Sequence, residues 1–300
     1  MKNIQEASLL TAIKTPYLEN GKFDLDAFDR LAEKQIEAGV QGLIVGGTTG
    51  EGQLMEWDEH IMLIAHCVVN FSRDLIIVGN TGSNNTREAI KATEQGFAVG
   101  MDAALQINPY YGKTSKEGVT THFERLLDIG PAILYNVPAR TGQDIPPDVV
   151  ESLAQDRNLI GMKECMGSKR IQYYEERGIA CWSGNDESSH DSRHNSGSHG
   201  VISVIGNILP KTMRSLMDSR NDTINDRLGE MFAWLCCEPN PIPLDTIMAM
   251  LKIVKPVFRL PYVPLERDIR EKGRSIFRRL QLDDMYTDIA NLPDSEFVVL

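Results

Sequence analysis

A lysine set inside an apolar run is the most chemically telling residue of this chain. Lys163 follows Leu159, Ile160, Gly161 and Met162, which reads as a buried strand. Burying an ammonium is costly, so such a lysine either pairs with an acid or gives up its proton. A neutral amine attacks a carbonyl and forms a Schiff base, an electron sink for carbon–carbon bond chemistry. Paired with Glu164 or another acid, the same lysine is merely structural; residue types alone leave both readings open.

Other strand ends supply companions. The loop Gly46 to Gly52 (GGTTGEG) joins an apolar run to a helical one, and its glycines free backbone N–H groups to face a carboxylate or phosphate, or simply to make a tight turn. It carries neither the Gly-Lys-Ser/Thr of a Walker loop nor a dinucleotide fingerprint. Tyr135 stands two residues before Val137-Pro138, where its hydroxyl reaches the same mouth as a proton relay or its ring packs into the core. Arg140 lies in a Pro- and Gly-bounded loop, as a bidentate carboxylate fork or a solvated surface charge. His190 and His194 have i, i+4 spacing with His199 nearby, but no carboxylate-bearing signature accompanies them, and a polar loop or helix face is favoured over a zinc site.

The elements that position these residues repeat. Short apolar runs occur at Ser8–Ile13, Gly42–Gly46, Leu75–Gly79, Ala103–Ile107, Ala132–Asn136, Leu159–Lys163, Ile179–Ser183 and Val201–Ile205. Their starts advance by roughly 28 residues, the size of a strand plus a crossover helix. Between them Leu25, Phe28, Leu31, Ala32 and Ile36 share one helical face, and Trp57, Ile61, Ile64, Ala65 and Val68 another. Strands without polar alternation are buried on both faces. Eight such units most simply close into a (β/α)8 TIM barrel, with reacting groups at the C-terminal strand ends, although a doubly wound sheet also fits the pattern. After residue 224 the texture changes to a helical stripe and then scattered prolines. The expected organisation is a catalytic barrel over 1–224 and a small C-terminal helical domain over 225–300, without strands, whose last long helix runs over Leu265–Leu280.

Composition narrows the function class. The chain has 300 residues, 42% of them hydrophobic and 24% charged, the balance of a globular protein. A net charge of −11 has the wrong sign for tracking phosphates, so nucleic acid is excluded as a partner. No apolar stretch approaches the roughly 20 residues a membrane span needs. The cysteines Cys67, Cys165, Cys181, Cys236 and Cys237 are scattered without a C-x-x-C pair and read as reduced thiols. The opening MKNIQEASLL shows neither a secretory h-region nor an Arg/Ser-rich leader. The expected location is a bacterial cytoplasm, with the plastid stroma the alternative if a transit peptide has been removed.

Taken together, GGTTGE, YNVPARTG, GMKE, SGND and GVISV, in order at successive strand ends, resemble the pyruvate-dependent class I aldolases and lyases. That family contains the dihydrodipicolinate synthases and N-acetylneuraminate lyases, and the likeness covers nearly the whole chain. Thr48-Thr49, the doublet Tyr110-Tyr111 and Arg140 after YNVPA are similar to the dihydrodipicolinate synthase branch, in its plant-like form. The resemblance implies that Lys163 condenses with pyruvate, that the backbone of Thr48 and Thr49 holds its carboxylate, and that Tyr135, Thr49 and Tyr111 relay protons, Tyr111 from a neighbouring subunit. It further implies that Arg140 binds the carboxylate of L-aspartate 4-semialdehyde, that Gly184 and Ile202 line the pocket, and that the product is 4-hydroxy-tetrahydrodipicolinate on the route to L-lysine. No metal or organic cofactor is implied, and the assembly is a homo-oligomer, a dimer of dimers.

The same resemblance carries over an inhibitory L-lysine site at Gly52, Gln53, Trp57, His60, Asn84, Glu88 and Tyr110, with Glu88 pairing with the effector's α-amino group and the Trp57 ring covering its stem. One segment departs from the plant-like pattern: Arg193 to Gly200 (RHNSGSHG) lacks the expected aromatic residues, which bears on local packing. The competing function is another pyruvate lyase, acting on sialic acid or a 2-keto-3-deoxy sugar acid. A second carboxylate clamp at Arg140 suits a polyol substrate poorly.

Overall fold

The computed structural model describes residues 3–284 and 286–300. Its strands are β1 (Leu9–Ala12), β2 (Gly42–Val45), β3 (Ile76–Asn80), β4 (Ala103–Ile107), β5 (Ala132–Asn136), β6 (Leu159–Glu164), β7 (Cys181–Ser183) and β8 (Gly200–Ser203). They pair in chain order and β8 closes on β1, Leu10 lying beside Ile202 and, on its other side, Gly42. This is the closed (β/α)8 barrel; an open doubly wound sheet is excluded.

Alternation along each strand explains why these runs are apolar throughout. Leu10, Ile44, Val78, Leu105, Ile133 and Ile202 fill the barrel interior, while Leu9, Leu43, Val45, Ile77, Leu134 and Val201 pack outward against the helices. Both faces are dry, so polar positions are few and paired, as Thr11 is with Gln35 and Gln106 with Thr81 and Thr93. The helices start where the sequence offers caps: Asp24 accepts from the Ala27 N–H before Leu25–Glu37, Asn85 from the Arg87 N–H before Thr86–Ala98, and Ser115 from the Gly118 N–H before Lys116–Leu127.

Beyond the barrel the chain differs from expectation in two respects. The helix Asp222–Leu235 runs across the expected break between 224 and 225; Asn221 caps it, accepting from the Ile224 N–H at 3.1 Å, so the change of texture begins before Asp222. Strands are also present there: β9 (Val257–Phe258) pairs in parallel with β10 (Val298–Val299). Runs of two residues are too short for periodicity to reveal. The last long helix is Arg267–Leu280.

The segment 193–200 packs chiefly by polar contacts, with the His199 ring 5.6 Å from that of Trp182. Arg193 donates to the carbonyls of Ser198 at 2.9 Å, His199 at 3.0 Å and Met217 at 3.2 Å, and Ser198 Oγ donates to Cys181 O at 2.9 Å. The nearby histidines are engaged structurally. His190 Nε2 accepts from the Asn221 N–H at 3.0 Å, His194 Nε2 donates to Leu216 O at 2.8 Å, and His199 Nδ1 meets Glu175 at 2.9 Å. Among the described residues no group of three metal-ligating side chains gathers.

Candidate active site

Lys163 of β6 lies in register with Tyr135 of β5 and Trp182 of β7, and residues in register share a face. All three point inward: Trp182 and Ile202 lie in the interior packing layer, and Lys163 Nζ stands 4.4 Å from the centroid of the Tyr135 ring. The lysine is 6% exposed. Burial is the main influence on it and lowers its pKa; Arg140 acts in the same direction, against Cys165 and Asp186. Among the described residues no carboxylate forms an ion pair with it. Glu164, the partner a structural reading would choose, points to the other face, accepting from Asn136 Nδ2 at 3.1 Å and from the Met166 N–H at 2.8 Å.

Above Lys163 opens a cavity of about 170 Å³ whose walls include Thr48, Thr49, Tyr135, Arg140 and Gly184. Burial holds the Tyr135 phenol well above its ordinary pKa, with the Cys165 thiol acting in the same direction and the Arg140 guanidinium and Thr48 hydroxyl against it. It therefore stays protonated, a donor at neutral pH. Thr49 Oγ1 accepts from Asn240 Nδ2 at 3.1 Å, leaving its own hydroxyl hydrogen available. Among the described residues the Thr48 and Thr49 amides donate to no protein acceptor, as an anion-binding turn requires. A Cβ at Gly184 would lie 2.4 Å from Cys165 Sγ and 3.2 Å from Lys163 Cε, so a side chain there would fill the space beside the amine.

The loop that presents Thr48 and Thr49 depends on glycine at one decisive place. Gly46 has φ +66°, and a Cβ on it would fall 1.8 Å from His60 Nε2. His60 is thus packed directly beneath the turn, and burial lowers its pKa to about 4.

A second cavity of about 360 Å³ adjoins the first and shares Thr48, Tyr135 and Arg140 with it. Gly52, Gln53, Trp57, His60, Glu88 and Tyr110 line it, and the Trp57 and His60 rings stack 5.4 Å apart at 4°. Asn84 lies outside this lining, its Nδ2 donating to Tyr110 O at 3.3 Å.

Two of the expected residues stand elsewhere. Ile202 belongs to the packing layer inside the barrel and Val204 takes the position on the cavity wall. Tyr111 is 93% exposed with φ +68°, on a surface loop beside Lys113 and His122; within one chain it does not meet Lys163.

Other lining residues escaped the sequence reading. Asp186 is buried, its Oδ2 accepting from the Val204 and Ile205 N–H groups at 2.9 and 2.8 Å. Cys165, its thiol pushed up to about 11 by burial, touches the cavity as well. Phe232, Leu235, Cys236 and Asn240 reach it from the C-terminal segment, and Asn240 O also accepts from Arg140 Nη2 at 3.3 Å. The proline-bracketed run Asn240–Pro243 was the available signal, since an asparagine held between prolines marks a fixed, non-helical presentation.

Residues 5–280 match the model of the dihydrodipicolinate synthetase family. The chain belongs to that family. Among members of the dihydrodipicolinate synthetase family, the chain is 57% identical to the chloroplastic 4-hydroxy-tetrahydrodipicolinate synthase 1 of Triticum aestivum, over 99% of this chain and 77% of the relative. The dihydrodipicolinate synthase of Acinetobacter baumannii, solved in complex with pyruvate, superposes with a TM-score of 0.87 at 32% identity, over 91% of this chain and 98% of that one. The family's enzyme from Cyanidioschyzon merolae, solved with lysine bound, gives a TM-score of 0.86 at 26% identity, over 92% and 98% of the two chains.

Proposed function

We propose that this enzyme condenses pyruvate with L-aspartate 4-semialdehyde to give 4-hydroxy-tetrahydrodipicolinate, through a Schiff base on Lys163. The observation that carries this reading is a buried strand-end lysine that has no carboxylate partner among the described residues, beside a protonated tyrosine and a pair of backbone amides that, among the same residues, donate to no protein acceptor. The neutral amine adds to C2 of pyruvate and water leaves, giving an imine whose positive charge draws a proton from C3. The enamine carbon attacks the aldehyde, the semialdehyde's amino group adds to the imine carbon, and Lys163 departs as a free amine. Tyr135 and Thr49 hand protons to and from these centres, with Tyr111 of a second subunit completing the relay. Its 93% exposure in a single chain is what such a shared residue would show, and it makes the enzyme at least a dimer. The Thr48 and Thr49 amides take the pyruvate carboxylate and Arg140 that of the semialdehyde. A second carboxylate clamp favours this substrate over sialic acid or a 2-keto-3-deoxy sugar acid.

L-Lysine acts as an inhibitor in the adjoining cavity, its stem under Trp57 and its amino group toward Glu88. The lysine-bound relative supports this, as does the wall the two cavities share. The chloroplastic relatives favour the plastid stroma over the bacterial cytoplasm.

The test is to incubate the enzyme with pyruvate, reduce with borohydride and map the adduct by mass spectrometry. Label on Lys163, followed by turnover with aspartate semialdehyde and not with sialic acid, is the expected result. An unlabelled Lys163 overturns the mechanism, and the opposite preference reassigns the substrate.

A further inference from the structure

A second buried lysine sits at the end of β1. Lys14 is 2% exposed, and its ammonium donates to the Glu51 carboxylate and to Asp245 Oδ2, the latter at 2.7 Å. The three residues come from three parts of the molecule. Lys14 is fixed to the barrel, its N–H donating to Asn207 Oδ1 at 3.0 Å. Glu51 lies in the Thr48–Thr49 loop in the left-handed conformation, φ +58°, its N–H donating to Thr48 O at 3.1 Å. Asp245 belongs to the first turn of the C-terminal helix Ile242–Met250, its N–H donating to Pro241 O at 2.8 Å. Just before that helix, Asn240 holds Thr49 Oγ1. The loop is therefore tied to the C-terminal segment on both sides of Gly50, through Thr49–Asn240 and through Glu51–Lys14–Asp245.

Stability alone does not account for such a cluster. Replacing a buried ion network with well-packed apolar groups is often neutral or stabilising, because desolvation consumes much of the Coulombic gain. Here one cation faces two carboxylates, and Glu51 Oε2 and Asp245 Oδ1 have no hydrogen-bond partner among the described residues. What such a network does supply is direction: a non-glycine residue in the left-handed region is strained and persists only where its surroundings over-determine it. Thr48 and Thr49 stand two and three residues from the point so fixed.

We propose that Lys14, Glu51 and Asp245 are positioning residues that set the Thr48 and Thr49 amides for the pyruvate carboxylate, which makes the C-terminal segment part of the pyruvate site. This rests on reading that loop as the carboxylate nest and Lys163 as the nucleophile.

Asp245→Asn keeps the shape and removes one anchor. The expected result is a KM for pyruvate raised about tenfold, with kcat changed less than about threefold and KM for the semialdehyde unmoved, because only ground-state and transition-state positioning of one carboxylate is lost. The triple variant Lys14→Met, Glu51→Gln, Asp245→Leu removes the charges together, so it should regain thermal stability while its pyruvate KM stays high; a merely structural network would restore both. A folded variant whose pyruvate dependence of borohydride trapping lies within about twofold of the wild type overturns the inference. So does failure of both variants to fold, which would assign the cluster to stability. Absence of trapping in the wild-type enzyme instead strikes the reading of Lys163 itself.

Discussion

The ends of β1 and β6 each bury a lysine, and the two do opposite work. At β1, Lys14 touches two carboxylates; burial pulls its pKa down and Asp245 pushes back, and with two acids against it the ammonium persists. At β6, Lys163 has an aromatic face and a thiol for company, and only Cys165 and Asp186 resist the same desolvation, neither of them, among the described residues, in an ion pair with it. Burial makes a lysine's charge expensive in both places. The presence or absence of an acid partner decides whether the residue becomes a fixed strut or a nucleophile. Reactivity is thus written in what Lys163 lacks, which is why its strand neighbour Glu164 matters by turning away.

The largest effect that sharpens this contrast is on turnover. Lys163→Met should lower kcat by about 10³-fold or more, since no covalent intermediate forms, and should abolish borohydride trapping. In the wild-type enzyme the peptide carrying Lys14 should remain unlabelled at saturating pyruvate. A label on Lys14 would break the comparison, because a strut held by two carboxylates has no free amine to offer.

Next in size is an effect on stability with the roles reversed. Lys14→Met leaves Glu51 and Asp245 buried without a cation, and removing one partner of a buried ion pair costs about 3–5 kcal/mol. Denaturant unfolding should show that loss, while Lys163→Met should unfold at or above the wild-type midpoint. Equal destabilisation by both substitutions would mean that Lys163 is paired after all.

Much of this arrangement was legible in the sequence, for identifiable reasons. The barrel announced itself because doubly buried strands show no regular polar alternation and recur at a fixed spacing. Lys163, Tyr135, Arg140 and the Gly46–Gly52 loop stood out because their chemistry is concentrated at strand ends, whereas Thr48, Thr49 and Gly184 were singled out only through the family resemblance. Lys14 was passed over although it also ends an apolar strand, since its partners lie 37 and 231 residues away and no local pattern reports so distant an acid. Asn240 was missed despite its flanking prolines, because they mark a fixed presentation without saying that it faces a barrel strand end 191 residues earlier. Ile202 was placed two residues too deep, because an inward side chain is core at one level and the cavity wall begins at the next, Val204.

The two regions should also answer pH with opposite sign. Beneath the loop that carries Glu51, His60 is neutral when folded with a pKa near 4, against about 6.5 when unfolded. The unfolded chain therefore binds the extra proton, and stability falls as pH drops from about 6.5 towards 4, by at most about 3 kcal/mol. Beside Lys163, burial raises Glu164 to about 7, so there the folded state holds the extra proton. That contribution is complete below about 4.5 and is lost as pH rises through 7. His60→Gln should flatten the acid side of the unfolding-midpoint profile and Glu164→Gln the neutral side; exchanged effects would overturn both assignments.

The smallest effect on uninhibited turnover is expected where the two regions meet. The second cavity takes Thr48 and His60 from the loop side and Tyr135 and Arg140 from the Lys163 side, so an occupant would touch the proposed carboxylate nest and the proposed proton relay at once. A ligand shifts an equilibrium only through differential contacts with its states, and this shared wall supplies them without a long path. Trp57 covers the cavity, its ring stacked on His60. Trp57→Arg removes the apolar cover and sets a cation against the effector's own ammonium groups. Titration of L-lysine should then show inhibition weakened more than about tenfold, while the rate without effector changes less than about threefold. Inhibition equal to the wild type would place the effector elsewhere and leave the two strand ends uncoupled.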